Sequence, residues 1–393
     1  MALQNTPAAN RIHIGFFGLR NAGKSSLVNS VTNQELSVVS DTAGTTTDPV
    51  YKTMELLPLG PVMIVDTPGF DDVGELGEKR VKKTRQVLAK TDIAVLVTDA
   101  GKAMTPAETE MKALFAKMDI PYITAKNKSD ISPDACAGSD GVLVSALTGE
   151  GIDTLIQKIA SLAEIKEPLI LRDLIAEGDT VVLVTPIDEA APKGRIILPQ
   201  QQVLRDVLDS NAVAVVTKEN GYKALLDKQT TKPALVVCDS QVFGKISAET
   251  PEEIPLTSFS ILMARMKGVL ETAVTGAAII SELKDGDKVL ICEGCTHHRQ
   301  CNDIGTVKLP NLIRKHTGAK PDFEFTSGAD FPEDLTGIKL IIHCGGCMIT
   351  EKEVKYRMKL AIDEGIPFTN YGTAIAYMNG ILNRSTNMLN IKP

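Results

Sequence analysis

The chain has 393 residues, 43% hydrophobic and 23% charged, with a formal net charge of −7. That length exceeds one ordinary core and predicts two or three domains, while the acidic balance argues against a nucleic-acid partner, whose site is normally basic. No uninterrupted apolar run approaches the roughly 20 residues that span a bilayer, and the opening MALQNTPAAN lacks a basic region followed by an apolar one, so a cytoplasmic protein with no membrane partner is expected.

Residues 11–17, RIHIGFF, read as a short buried strand, from which GLRNAGKSSLVNSV turns into a helix. VMIVD (62–66), IAVLVTD (93–99) and YITAKN (122–127) predict further strands, each separated from the next by a helical pattern. This alternation predicts an α/β fold, a parallel sheet with helices on both faces. The helix IDTLIQKIASLAEI closes a first domain at residues 1–168, where Pro168 discourages further helix.

A second βα series, 169–272, runs through TVVLVTP (180–186), a helix in QQQVLRDVLD, AVAVVT (212–217), a helix around 221–228, and ALVVCD (234–239). It has no phosphate loop and no cluster of titratable side chains, and reads as a structural domain and an interface for self-association. The third series, 273–393, has strands at KVLICEG (288–294), DFEFTSG (322–328), KLIIHCGGC (339–347) and PFTNYG (367–372), with helices in TVKLPNLIRKHTG and EKEVKYRMKLAIDEG. Its basic and acidic side chains balance, with 14 Lys and Arg and 14 Asp and Glu over residues 275–393, which is again unlike a nucleic-acid platform.

GLRNAGKS, from Gly18 to Ser25, satisfies the phosphate-loop pattern in its strand-loop-helix context. Around Asn21, Ala22, Gly23 and Ser26 the backbone amides would wrap phosphate oxygens at a helix N-terminus. Lys24 would reach the outer phosphates and Ser25 would ligate Mg2+. DTPG (66–69) follows a strand, so Asp66 would hold the metal through water and Gly69 would offer its amide to the γ-phosphate. In NKSD (127–130), Asn127, Lys128 and Asp130 suit a guanine edge, because a carboxylate can accept from the ring N–H and the exocyclic amine that adenine lacks. Ser145 and Ala146 of VSAL stand where a backbone amide would meet the guanine carbonyl.

Taken in order, these motifs resemble the translation-factor-like bacterial GTPases, especially those related to tRNA-modifying and ribosome-assembly enzymes. The resemblance implies binding of GTP and GDP, and a first switch in AGTTTDPV (43–50) with Thr46 as the magnesium ligand and Thr45 and Thr47 as alternatives. It implies a K+ site at Asn21, which matches the asparagine of the potassium-activated members and would stand in for an arginine finger, and Phe70 follows DTPG where Ras-like proteins carry the glutamine that orients water. Residues 41–50 and 66–80 are then the switch regions.

Seven cysteines in a reducing compartment would not form a disulfide framework. Five of them, Cys292, Cys295, Cys301, Cys344 and Cys347, lie beyond residue 290, and His297, His298 and His343 stand among them. CEGCTHH (292–298) and HCGGC (343–347) each follow a predicted parallel strand, and ligands bind outside the carboxyl ends of such strands. Cys292, Cys295, Cys344 and Cys347 form a credible tetrahedral zinc set. Alternatively Cys292, inside the apolar VLIC, is a core residue. Three thiolates, Cys295, Cys344 and Cys347, would then hold a [4Fe-4S] cluster with one iron open to an exchangeable ligand. A disulfide between Cys344 and Cys347 is a further alternative, which leaves Cys295 and the histidines without a role.

A GTPase half joined to C-x-H…H-C-x-x-C resembles the [FeFe]-hydrogenase maturation GTPases over essentially the whole chain. The resemblance implies a GTPase domain, a middle dimerisation domain and a C-terminal cluster domain, in a homodimer. It implies a [4Fe-4S] cluster on Cys295, Cys344 and Cys347 with His297 and His343 as motif histidines, and a transient two-iron subcluster carried as cargo. The implied partners are radical-SAM hydrogenase maturases and apo-[FeFe]-hydrogenase. The alternative class is a zinc-stabilised RNA-modification or ribosome-associated GTPase.

Overall fold

Near-continuous runs of Val, Ile, Leu and Phe are buried on both faces only inside a parallel sheet, and such runs form the centre of each sheet here. The computed structural model describes residues 7–32, 49–69, 84–132, 141–163, 169–186, 196–294 and 303–391 except 329 and 333. The chain divides into two compact units, Met1–Lys166 and Glu167–Pro393.

In the first unit the strands are β1 (Ile12–Phe17), β2 (Val50–Leu56), β3 (Gly60–Asp66), β4 (Ile93–Asp99), β5 (Tyr122–Asn127) and β6 (Gly141–Leu143). They lie in the order β2-β3-β1-β4-β5-β6. All pairings are parallel except β2 with β3, which is antiparallel. Ile14 and Phe16 of β1 pack with Leu27 and Ile159 on one face, and Phe17 packs with Leu96 and Phe115 on the other. The register sets Phe16 opposite Asp66 and Asp99 opposite Asn127, which brings the loops after β1, β3 and β5 to one edge.

The second unit holds two four-stranded parallel sheets. One contains β7 (Thr180–Val184), β8 (Val213–Thr217), β9 (Leu235–Cys238) and β10 (Leu256–Ser258), in the order β10-β9-β7-β8. The other contains β11 (Lys288–Glu293), β12 (Asp322–Ser327), β13 (Ile338–His343) and β14 (Phe368–Asn370), in the order β12-β11-β13-β14. One buried cluster takes Val182 and Val236 from the first sheet and Leu290 and Ile341 from the second. The segments on either side of residue 272 therefore share a core.

Between the sheets run two helices, Phe259–Met266 and Leu270–Ala277, that the sequence pattern did not announce. Phe259, Ile261, Leu262, Met263, Ala264 and Met266 are all buried, so the first is apolar almost all round. Its start is fixed by the Ser258 side chain, which accepts from the Ile261 amide. Among the described residues no helix is long and apolar enough to cross a membrane.

Candidate functional site

Two groups of predicted residues come together, one in each unit. In the first, the chain leaves β1, turns through Asn21 at φ 58 and Gly23 at φ 85, and enters the Lys24–Thr32 helix. A Cβ at position 23 would stand 2.2 Å from Asn127 Nδ2, so glycine is required there both by its φ and by the approach of Asn127. Asn127 Nδ2 donates to Ala22 O at 3.0 Å and its Oδ1 accepts from Ala146 N at 3.0 Å. Asp130 Oδ1 accepts from Ser145 Oγ at 2.7 Å. The phosphate loop, NKSD and VSAL are thus tied into one site by Asn127, buried at 3% exposure.

Ser25 Oγ donates to Asp66 Oδ2 at 2.6 Å, which sets a hydroxyl and a carboxylate side by side, as a shared magnesium would need. Lys24 Nζ donates to Gly18 O at 3.0 Å and Leu19 O at 2.8 Å, folding its ammonium across the loop. Ser26 is half-buried on the same helix, and Gly69 is buried just after Asp66-Thr67-Pro68. Thr45, Thr46, Thr47 and Phe70, and with them most of both switch regions, lie outside the described residues. Sequence reasoning missed Asp99, at the end of β4, which binds Lys128 Nζ at 2.8 Å. Burial raises its pKa, but the hydrogen bonds from Lys128 and Gly101 outweigh that and hold the carboxyl below its ordinary range. Asp99 thereby fixes a residue of the NKSD loop.

In the second unit, β11 and β13 are neighbours, and their register pairs Cys292 with His343. The next residues leave the sheet together. Cys344 N donates to Cys292 O at 2.8 Å, and Cys344 Sγ accepts from Gly294 N at 3.1 Å and Gly346 N at 3.4 Å. Gly346 has φ 64, and a Cβ there would stand 2.9 Å from Val354 Cγ2, so the turn carrying Cys347 also needs its glycine. Cys344 and Cys347 are free, half-buried thiols. Burial pushes the Cys344 thiol up and the Cys347 thiol up to about 11, so a metal would have to displace their protons on binding.

Strand alternation puts Cys292 elsewhere. It is fully buried in the core with Leu290, Ile341 and Phe368, whereas Cys344 packs on the opposite cluster with Ile291 and Ile342. Burial pushes the Cys292 thiol up to about 12.

His343 shares the Cys292 face, at 1% exposure, with its ring 5.9 Å from that of Phe368. Its Nε2 lies 3.2 Å from Arg357 Nη1 and its Nδ1 lies 2.8 Å from Cys344 O. A guanidinium only donates, so Nε2 accepts and Nδ1 carries the proton. Burial, and after it the Arg357 charge, push the imidazole pKa down to about 3. Neither the buried Arg357 nor its pairing with His343 was foreseen. To ligate a metal, His343 would have to give up one of its two bonds.

Cys295, His297, His298 and Cys301 lie outside the described residues. The chain enters Cys295 from Gly294, whose amide is bonded to Cys344 Sγ. A sulfur that accepts backbone N–H groups at two strand ends, with a second thiol three residues on, fits a thiolate-held iron–sulfur cluster.

Three family models match the chain. A ribosome-binding GTPase model covers residues 13–128, a hydrogen maturase F dimerization domain covers 170–268, and a hydrogen maturase F tetramerization domain covers 271–388. Similar curated proteins include the tRNA modification GTPase MnmE of Chromobacterium violaceum, 33% identical over 156 residues, with 38% of this chain and 34% of that protein covered. Another is the GTPase Der of Wolinella succinogenes, 35% identical over 174 residues, with 40% and 37% covered. The matched region thus spans about a third of the length of these relatives. Among solved structures, the chain is similar to Aquifex aeolicus Era bound to GDP and aluminium fluoride, with a TM-score of 0.35 at 21% identity over 52% of this chain and 92% of that one. The first unit is a P-loop GTPase domain, followed by further parallel-sheet structure.

Proposed function

This chain belongs to the hydrogen maturase F family, and on that premise we propose that it is a GTP-hydrolysing scaffold that holds a [4Fe-4S] cluster and assembles and hands on the two-iron subcluster of [FeFe]-hydrogenase. The observation that carries this reading is the pairing of strand ends β11 and β13, where Cys344 Sγ accepts from the amide that precedes Cys295. In this reading Cys295, Cys344 and Cys347 hold the cluster, with His297 and His343 flanking them. When bound, the cluster supplies an iron whose fourth position is open to exchange.

The first unit's part in the proposal is nucleotide binding. Ser25 and Thr46 ligate Mg2+, Asp66 holds it through water, Lys24 and Gly69 meet the outer phosphates, and Asn127 and Asp130 take the guanine edge. Asn21 holds K+. This reading is supported by the contact of Ser25 with Asp66 and by the ties Asn127 makes to Ala22 and Ala146. GTP turnover biases contacts with partners, which are radical-SAM maturases upstream and apo-hydrogenase downstream. Within this proposal residues 1–168 bind nucleotide, 169–272 form a homodimer and 273–393 carry the cluster, in the cytoplasm.

The test is transfer. Protein purified anaerobically after co-expression with the radical-SAM maturases should activate purified apo-[FeFe]-hydrogenase to evolve hydrogen, and protein carrying Cys344→Ser should not. Activation that is independent of the added chain would end the proposal.

A zinc-stabilised RNA-modifying or ribosome-associated GTPase is favoured by one finding, the likeness of the first unit to tRNA modification GTPases. That likeness covers 38% of the chain and gives the cysteine loop no task.

A further inference from the structure

The NKSD loop bends at its second residue. Lys128 has φ 67 and ψ 34, in the left-handed region that a long side chain occupies at a cost unless its surroundings hold it there. The bend turns the chain out of β5 into the short helix Ser129–Ile131. On one side of it Asn127 reaches Ala22 and Ala146, and on the other Asp130 reaches Ser145. The residue between the two groups read as taking the guanine edge is therefore the one whose backbone is under strain.

What holds the bend comes from the neighbouring strand. The parallel register of β4 and β5 sets Asp99 opposite Asn127, and Ala100 N donates to Asn127 O at 2.8 Å. Asp99 Oδ1 accepts from Gly101 N at 3.1 Å, which leaves Oδ2 for Lys128 Nζ at 2.8 Å. The turn after β4 also abuts the end of the NKSD loop, because a Cβ at Gly101 would stand 2.7 Å from Ser132 Oγ.

Two lysines approach the same carboxylate oxygen. Lys102 Nζ lies 3.7 Å away on a side chain 76% exposed, and a pair so exposed contributes little. The side chains of Asp99 and Lys128 are 18% and 32% exposed, so their shorter, charge-assisted bond is partly withdrawn from water and is the stronger of the two. Lys24, Ser25 and Asp66 are held by other bonds.

We propose that Asp99 is a positioning residue for nucleotide recognition: by holding Lys128 it keeps Asn127 and Asp130 at the spacing the guanine edge requires, and so sets affinity for the base. The proposal rests on the guanine reading above. It separates base recognition, which passes through Asp99, from hydrolysis at the outer phosphates, which does not.

Asp99→Asn keeps an oxygen for Gly101 N and removes the charge that faces Lys128; Lys128→Met removes the ammonium and keeps the apolar stem. The full chain, both single variants and the double variant are titrated with GDP and ADP by calorimetry and assayed for GTP turnover. Each single change is expected to weaken GDP about tenfold, as the loss of one hydrogen bond between charged groups would. KM for GTP should rise in step, with kcat within a factor of about two of the unaltered value. The double variant should bind GDP no more weakly than either single one, because both changes remove the same bond. Unaltered GDP affinity in either single variant would overturn the proposal, so Lys128→Met decides even if Asp99→Asn does not fold. Losses that multiply in the double variant, or a fall in kcat as large as that in kcat/KM, would overturn it too, since Asp99 would then act by another route. If the unaltered chain binds ADP as tightly as GDP, the guanine reading itself fails, an outcome distinct from a failure of Asp99 alone.

Discussion

Arg357 holds His343 and Glu353 at once: Nη1 lies 3.2 Å from His343 Nε2, and Nη2 lies 2.5 Å from Glu353 Oε1 and 2.5 Å from Gly328 O. Arg357 is 2% exposed, and its guanidinium carbon sits 5.4 Å from the Phe331 ring centroid. Removing one member of a buried pair leaves the other charge uncompensated, at about 3–5 kcal/mol. Arg357→Met is therefore expected to lower stability by that amount in urea unfolding, and the double change with Glu353→Leu to recover much of it. A loss below about 1 kcal/mol for the single change would mean that the pair does not anchor the loop.

The hydroxyl of Ser25 sits on the Asp66 carboxylate at 2.6 Å. If the two share magnesium, Ser25→Ala should slow Mg-dependent GTP hydrolysis about a hundredfold, roughly 2.7 kcal/mol, with an unchanged unfolding profile. Turnover within a factor of about two of the unaltered rate would remove Ser25 from the metal.

Asp130 Oδ1 accepts from Ser145 Oγ at 2.7 Å, and in the proposed function its carboxylate takes the two donors of the guanine edge. Asp130→Asn replaces an acceptor by a donor and should weaken GTP by about a hundredfold or more. The same change should improve binding of xanthosine triphosphate, whose ring carries an oxygen in place of the amine. Calorimetry with both nucleotides decides the matter; parallel losses for the two would contradict a direct contact.

Asn21 is exposed and has φ 58, a conformation asparagine tolerates in any turn. Asn21→Gly keeps that backbone and removes the amide. Hydrolysis in matched potassium and sodium buffers should differ by about tenfold or more, as one lost charge-stabilising contact would, and Asn21→Gly should abolish the difference. Equal rates in the two buffers would eliminate the cation site.

Val213 and Val216 are 52% and 48% exposed on β8, an edge strand of its sheet. Such an edge needs cover, and the segment matches a dimerization domain. Val216→Lys should shift the protein toward monomer in light scattering at micromolar concentration. An unchanged mass would place the contact elsewhere.

The nucleotide half was legible because its chemistry lies in short contiguous motifs between buried strands. Strand β2 was not, since it is an edge whose residues from Val50 to Glu55 are exposed or half-buried, leaving no apolar run to read. The cysteine pair was legible at its strand end, and the core position expected for Cys292 follows from strand alternation. Arg357 was not legible. An arginine in EKEVKYRMKL reads as part of a charged face. Only its packing against His343 and Gly328, distant in sequence, buries it. The Phe259–Met266 helix escaped for the opposite reason, being only eight residues long and buried nearly all round.

The central claim is that Cys295, Cys344 and Cys347 hold an iron–sulfur cluster, and anaerobic reconstitution followed by absorption and EPR spectra of the dithionite-reduced chain tests it most directly. The predicted result is a brown protein with iron and sulfide in equal amounts and a reduced-cluster EPR signal. Serine at any of the three positions should abolish that signal, and Cys292→Ala should retain it. A colourless chain that keeps one zinc ion through the same procedure would contradict the account.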